Sequence, residues 1–255
     1  MEQPSIDGTR LAAQDYLART DADLAALLDA ADDLSRDVPG CPGWTVRDLL
    51  SHVLGVYRHK NAGFLIDGQP GEAPAGGWGA LADDDDPRTL VRAEYDALRA
   101  HLDRDPATPS WTWWPPEQTV GFWQRRMAQE TAVHRWDAES ARYGVDGAAP
   151  VAPDLAADGI DELLGWLTWD WDEVQEGAAG QRVLVSTGEH SWTVALNPTS
   201  AEVTPGGADG EALVAGEPSA LLLHLWGRPG EHEVARGGDL TALRLLAERL
   251  SEATT

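Results

Sequence analysis

The sequence predicts an α+β protein: a four-helix bundle over residues 1–148, followed by a small α+β domain over 149–255. Three observations carry this. Apolar residues recur at three- and four-residue spacings through the first 143 positions, the period of a helix with one buried face. A Gly-, Ala- and Pro-rich stretch, Gly144 to Pro153, then changes the composition and reads as a linker. Beyond it, short runs of alternating apolar residues separated by glycine turns take over, the mark of strands.

From about Thr9 to Leu34, Ala13, Leu17, Leu24, Leu27, Leu28 and Ala31 mark one helical face. Pro39, Pro42 and Gly43 break that pattern, and Thr45 stands where an N-cap belongs, with Asp48 placed to favour the positive end of a second helix. Val46, Leu49, Leu50, Val53, Tyr57 and Phe64 carry this helix forward. Asp67 to Pro87 is rich in Gly, Pro and Ala and contains the acidic run Asp83 to Asp86, so it reads as a long loop of the kind compact domains keep for function.

Asp86 is placed to cap a third helix opened by Pro87, with Leu90, Ala93, Glu94, Ala97, Leu98 and His101 along it. The tryptophan-rich loop Trp111 to Trp114 leads into a fourth helix, Thr119 to Tyr143. Four amphipathic helices with long connections predict a bundle. In the second domain the sequence predicts a helix over 154–173, a hairpin of strands 182–187 and 191–196, short strands at 201–204 and 211–215, and helices over 217–226 and 239–252.

Composition limits the function classes. Acidic residues outnumber basic ones 43 to 19, a formal charge of -24 that repels nucleic acids and anionic membranes. An anionic substrate would need a local arginine. No secretory pattern opens the N-terminus and no apolar run is long enough to span a bilayer, so the expectation is a cytoplasmic protein. The one cysteine, Cys41, excludes an intramolecular disulfide and reads as structural.

The informative segment lies on the fourth helix. At 100° per residue, Val120, Trp123, Met127, Ala138 and Ala141 form a stripe, with Glu130 and His134 in its middle and Asp137 at its edge. Two ionisable side chains one turn apart and aimed inward require compensation. A divalent cation is one partner that supplies it; a Glu–His hydrogen bond, or a pair that faces solvent in a different helix phase, is the alternative. On the second helix, His52 lies beside Leu49 and Val56 at the margin of the apolar face. The neighbouring cluster Arg58, His59 and Lys60 reads as a solvated face, and the tryptophans at 111, 113 and 114 read equally as pocket wall or as loop packing.

The segment Pro39-Gly-Cys-Pro-Gly-Trp-Thr-Val-Arg-Asp-Leu-Leu-Ser-His52 resembles the start of the mycothiol-dependent maleylpyruvate isomerase family, a branch of the DinB-like bundles. That family's Glu-x-x-x-His-x-x-Asp run is matched by Glu130, His134 and Asp137, and Leu221-Leu-Leu-His-Leu-Trp-Gly-Arg228 is similar to a signature of its sterol-carrier-like C-terminal domain. The resemblance implies a divalent metal, usually zinc, bound by His52, Glu130 and His134, with Asp137 supporting a ligand histidine. It also implies a low-molecular-weight thiol cofactor, mycothiol in actinobacteria, with which the Ala-, Asp- and Gly-rich composition is compatible. Arg228 is implied as the catalytic or cofactor contact from the second domain. The expected chemistry is thiolate-dependent isomerisation or S-transfer on an electrophilic small molecule. A non-haem Fe(II) oxygen-using enzyme or a metal-stabilised binding protein is the alternative.

Overall fold

The computed structural model describes residues 9–170, 173–230 and 234–254. Residues 1–8 of the N-terminal stretch read for a secretory pattern lie outside these, as do residues 171 and 172; the helix expected to reach Glu173 ends at Trp166. The chain divides into two compact units, residues 12–149 and 150–255, with residues 9–11 grouping with the second.

The first unit holds four helices: α1 (Ala13–Ala30), α2 (Val46–Ile66), α3 (Pro87–Leu102) and α4 (Val120–Tyr143). Their starts follow the predicted caps. Thr45 and Asp48 form a reciprocal capping box on α2, Asp86 caps α3 ahead of Pro87, and the Thr119 side chain accepts from the Phe122 N–H at the head of α4. Buried Tyr16, Leu17, Leu24 and Leu27 on α1 face α4, and Thr20 joins them because its hydroxyl donates to the Tyr16 carbonyl at 2.7 Å.

The inner face of α3 differs from the predicted one. Val91, Tyr95, Leu98 and Leu102 are buried, while Ala93 and Ala97 are exposed. Both registers satisfy a helical period, and the one that removes the larger apolar areas from water prevails. The fourth helix also departs from a single stripe. It packs against α1, α2 and α3 and is buried nearly all round. Its buried polar groups therefore find partners: Gln124 donates to the Leu102 and Arg104 carbonyls, and Arg135 pairs with Asp23 and Glu139.

The second unit contains α5 (Pro153–Trp166), α6 (Pro218–Leu225) and α7 (Leu240–Ala253) with a five-stranded sheet. The strands β1 (Gln181–Ser186), β2 (Ser191–Leu196), β3 (Ala201–Pro205), β4 (Ala212–Gly216) and β5 (Val234–Gly238) run in the order β3-β2-β1-β4-β5. Strands β1 and β2 form the expected hairpin, β1 and β4 are parallel, and the remaining pairs are antiparallel. Buried Val183, Val185, Trp192, Val194 and Leu196 supply the sheet's part of the core. Strand β5 was not among the expected elements. Its Val-Ala-Arg-Gly-Gly run is an exposed edge without alternation, held only by pairing with β4.

Among the described residues, no helix is long and apolar enough to cross a membrane.

Candidate metal centre

The centre is built where α2 crosses α4. A buried hydrogen bond of 2.8 Å between the Tyr57 and Thr131 hydroxyls ties the two helices together one turn from the site. Glu130 and His134, separated by one turn of α4, project toward α2, and His52 meets them from its margin. His52 Nε2 lies 3.1 Å from Glu130 Oε1, and His134 Nε2 lies 3.3 Å from the same oxygen. The two imidazoles stand edge to face with ring centroids 4.8 Å apart. The three candidate ligand atoms all lie within 4.8 Å of one another. Ligands around a tetrahedral zinc sit roughly 3.3 Å apart, as bonds of about 2.0–2.1 Å require, so the two short separations suit such an ion.

Each candidate ligand has support behind it. Asp137, fully buried, accepts from His134 Nδ1 at 2.9 Å, which leaves Nε2 as the atom facing Glu130. Arg126 Nη2 donates to Glu130 Oε2 at 2.9 Å, so Oε1 alone faces the histidines. Cys41 Sγ lies 3.6 Å from Asp137 Oδ2, with the thiol as donor. Trp44 leans on His52 with centroids 5.2 Å apart. Both Cys41 and Trp44 are placed by the tight turn ahead of α2, where the Val38 N–H donates to the Trp44 carbonyl and the Trp44 N–H to the Cys41 carbonyl.

The electrostatics describe a site held together by protons when no cation is bound. Burial works against the charged Glu130 carboxylate, yet His134, His52 and Arg126 hold it well below the usual carboxylate range. Burial likewise disfavours a charged His134, but Glu130 and Asp137 push its pKa up to about 9. Both carboxylate neighbours favour any cation at His134, whether a proton or a metal ion. The donor set, two imidazole nitrogens and one carboxylate oxygen, fits a borderline divalent ion with open positions.

Toward solvent from His52 lies a cavity of about 480 Å³, lined among others by Trp44, Ser51, His52, His59, Lys60 and Trp78. The long connection between α2 and α3 forms its outer wall. Ser51 Oγ donates to the Gly79 carbonyl at 2.7 Å, and Arg58 donates to the carbonyls of Trp78 and Ala80. Gly79 packs so closely on α2 that a Cβ there would fall 2.1 Å from the Ser51 carbonyl oxygen. The Arg58–His59–Lys60 segment is therefore no solvated face. Arg58 pins the connection, His59 stands edge-on to Trp78, and Lys60 turns toward Trp123.

The structure thus brings His52, Glu130, His134 and Asp137 together in one cluster. Arg228 lies in the second unit after α6, half-buried, with its guanidinium donating to the Trp226 carbonyl at 3.2 Å. Of the three loop tryptophans, Trp113 packs on Phe122 and Trp111 on Trp123, whose indole N–H donates to the Trp111 carbonyl at 2.7 Å. A second cavity, of about 700 Å³, lies in the second unit among α6, β5 and α7, with Trp226, Leu243 and Leu250 in its walls. Sequence reasoning missed Arg126, Trp44 and the wall around Trp78. The signals available were the i,i+4 spacing of Arg126 and Glu130 and the place of Trp44 in the family-like run before His52.

Comparisons with known proteins agree with this architecture. Residues 17–139 match the family model for the mycothiol maleylpyruvate isomerase N-terminal domain. The chain is similar in structure to the crystal structure of the mycothiol-dependent maleylpyruvate isomerase, with a TM-score of 0.63 at 14% identity, covering 90% of this chain and 95% of that one. It is similar to a histidine-to-alanine mutant of that enzyme at a TM-score of 0.62 and 13% identity, with the same coverage. No curated protein matches the chain. At such low identity the structural likeness speaks for the fold, an α+β protein with a helical bundle first. The part of the chain that matches the mycothiol maleylpyruvate isomerase N-terminal domain family is therefore its helical bundle, residues 17–139.

Proposed function

We propose that this chain is a cytoplasmic, mycothiol-dependent enzyme of the maleylpyruvate isomerase type, acting by isomerisation or S-transfer, with a divalent metal, zinc in the first instance, held by His52, Glu130 and His134. The observation that carries the reading is the convergence of two imidazole nitrogens on one carboxylate oxygen, beside an open cavity. When bound, the metal would stabilise the thiolate of the cofactor near neutral pH, the nucleophile that either reaction needs.

The chain's own residues prepare that step. Asp137 holds His134 so that Nε2 faces the site, and Arg126 occupies Glu130 Oε2 so that Oε1 is presented inward. Among the described residues the candidate set contains three protein ligands, which leaves coordination positions for a thiol and favours catalysis over a closed structural site. Trp44, Trp78 and the α2 face wall the cavity beside His52. Arg228 is the candidate contact to substrate or thiol cofactor from the second unit.

Metal content of purified wild type and His134→Ala tests the reading, together with cobalt spectra recorded before and after addition of mycothiol. About one equivalent of metal in the wild type, its loss in the variant, and a thiol-dependent cobalt–sulfur charge-transfer band are expected. A wild type that takes up no metal on reconstitution refutes the metal site, and a cobalt spectrum indifferent to mycothiol refutes the thiol.

A further inference from the structure

The chain contains a single lysine, Lys60, against eighteen arginines. A lone lysine in so acidic a protein would ordinarily sit in solvent beside a carboxylate. Lys60 instead lines the cavity that also contains His52, two helical turns along α2. The spacing is about 12 Å along the axis, and helical side chains lean toward the N-terminus, here toward His52. The ammonium donates to His59 Nδ1 at 3.0 Å and lies 4.8 Å from the centre of the Trp123 ring. Both partners are neutral. Burial, reinforced by Lys60, pushes the His59 pKa down to about 4, so its ring accepts and carries no charge near neutrality.

Among the described residues, no carboxylate lies within ion-pair distance of Lys60. Burial depresses its pKa to about 8, Glu130 favours its charge from a distance, and Arg126 opposes it. A half-buried ammonium without an anion is costly, and an apolar side chain of the same length would fill the space more cheaply. Its three donors are only partly used, and Lys60 is among the residues that line the cavity. The net charge of -24 repels anions from the surface, so an anionic substrate needs a local cation such as this one.

We propose that Lys60 is the anion-receiving residue of this cavity, holding a ligand carboxylate so that the rest of the ligand lies toward His52. The assignment rests on the reading of His52, Glu130 and His134 as the reaction centre. It makes Lys60 a specificity-determining residue separate from the metal ligands.

Because the lysine is unique, reductive methylation with ¹³C-formaldehyde places one lysine resonance in the NMR spectrum, with the charge retained. The zinc-loaded protein is titrated at constant ionic strength with succinate and, separately, with its uncharged dimethyl ester. A saturable shift with succinate and none with the ester is expected. In unmodified protein, Lys60→Met should weaken succinate binding by about tenfold or more with zinc content unchanged, while Lys60→Arg should stay within about threefold of wild type. Equal shifts from ester and acid, or wild-type succinate binding in Lys60→Met, would overturn the proposal. Zinc analysis of the same samples separates the two readings: succinate at Lys60 in a protein that takes up no zinc leaves the anion site standing and removes the metal, whereas zinc without succinate binding does the reverse.

Discussion

Replacing Asp137 by Asn probes the site most sharply, because it removes a charge and almost no volume. The Asp137 carboxylate is fully buried, and its Oδ2 takes both the His134 Nδ1 proton at 2.9 Å and the Cys41 thiol at 3.6 Å. An asparagine oxygen can still accept from Nδ1, so the imidazole keeps its orientation and Nε2 keeps facing Glu130. What is lost is the negative charge that makes His134 more basic and the site more attractive to a cation. Supports of this kind contribute about 10- to 100-fold in metal affinity, or about 1.4–2.7 kcal/mol. Competition against a chromophoric zinc chelator at pH 7.5 measures the loss directly, with His134→Ala as the reference for removal of a whole ligand. Affinity within twofold of wild type would refute the supporting role. A loss as complete as that of His134→Ala would show that Asp137 is itself a ligand and that the assigned set is wrong.

Two further outcomes follow from the same geometry. With a His134 pKa raised to about 9, the metal-free protein carries that proton at pH 7.5, and zinc must displace it, so binding should release about one proton. Calorimetry in two buffers of different ionisation enthalpy reads this; the release should vanish as pH rises past 9, and indifference to buffer at pH 7.5 refutes it. In linkage terms, the raised His134 pKa stabilises the metal-free protein fully below about pH 6.5, and that contribution is lost as pH rises through about 9. Separately, Gly79→Ala drives a Cβ against the Ser51 carbonyl and should cost about 1–3 kcal/mol while lifting Trp78 from the cavity wall. Thermal denaturation and tryptophan emission check it, and an unchanged midpoint with unchanged emission would mean that the connection does not pack on α2 as described.

The candidate ligands were legible because helical periodicity is a local property. Glu130 and His134 stand one turn apart on an otherwise apolar stripe, and the Thr45 and Asp86 caps place both neighbouring helices to within a residue. Resemblance supplied His52, which its own helix leaves at the margin of the apolar face. The face of α3 was misread because alanines satisfy the period as well as valine or tyrosine does, and only packing reveals which set removes more area from water. Strand β5 was invisible because an edge strand held by one neighbour needs no apolar alternation of its own.

By itself, then, the sequence determined the two-part α+β organisation, the helix starts and the chemical types of the candidate ligands, since each depends on residues near one another in the chain. Tertiary structure alone decided that Cys41 reaches Asp137 across 96 positions, that Glu130 Oε1 faces two histidines while Arg126 takes Oε2, and that the Gly79 connection closes over α2. It also decided that Lys60 lines the cavity beside His52. These are distances between elements far apart in sequence, set by how four helices share one core, and no local pattern encodes them.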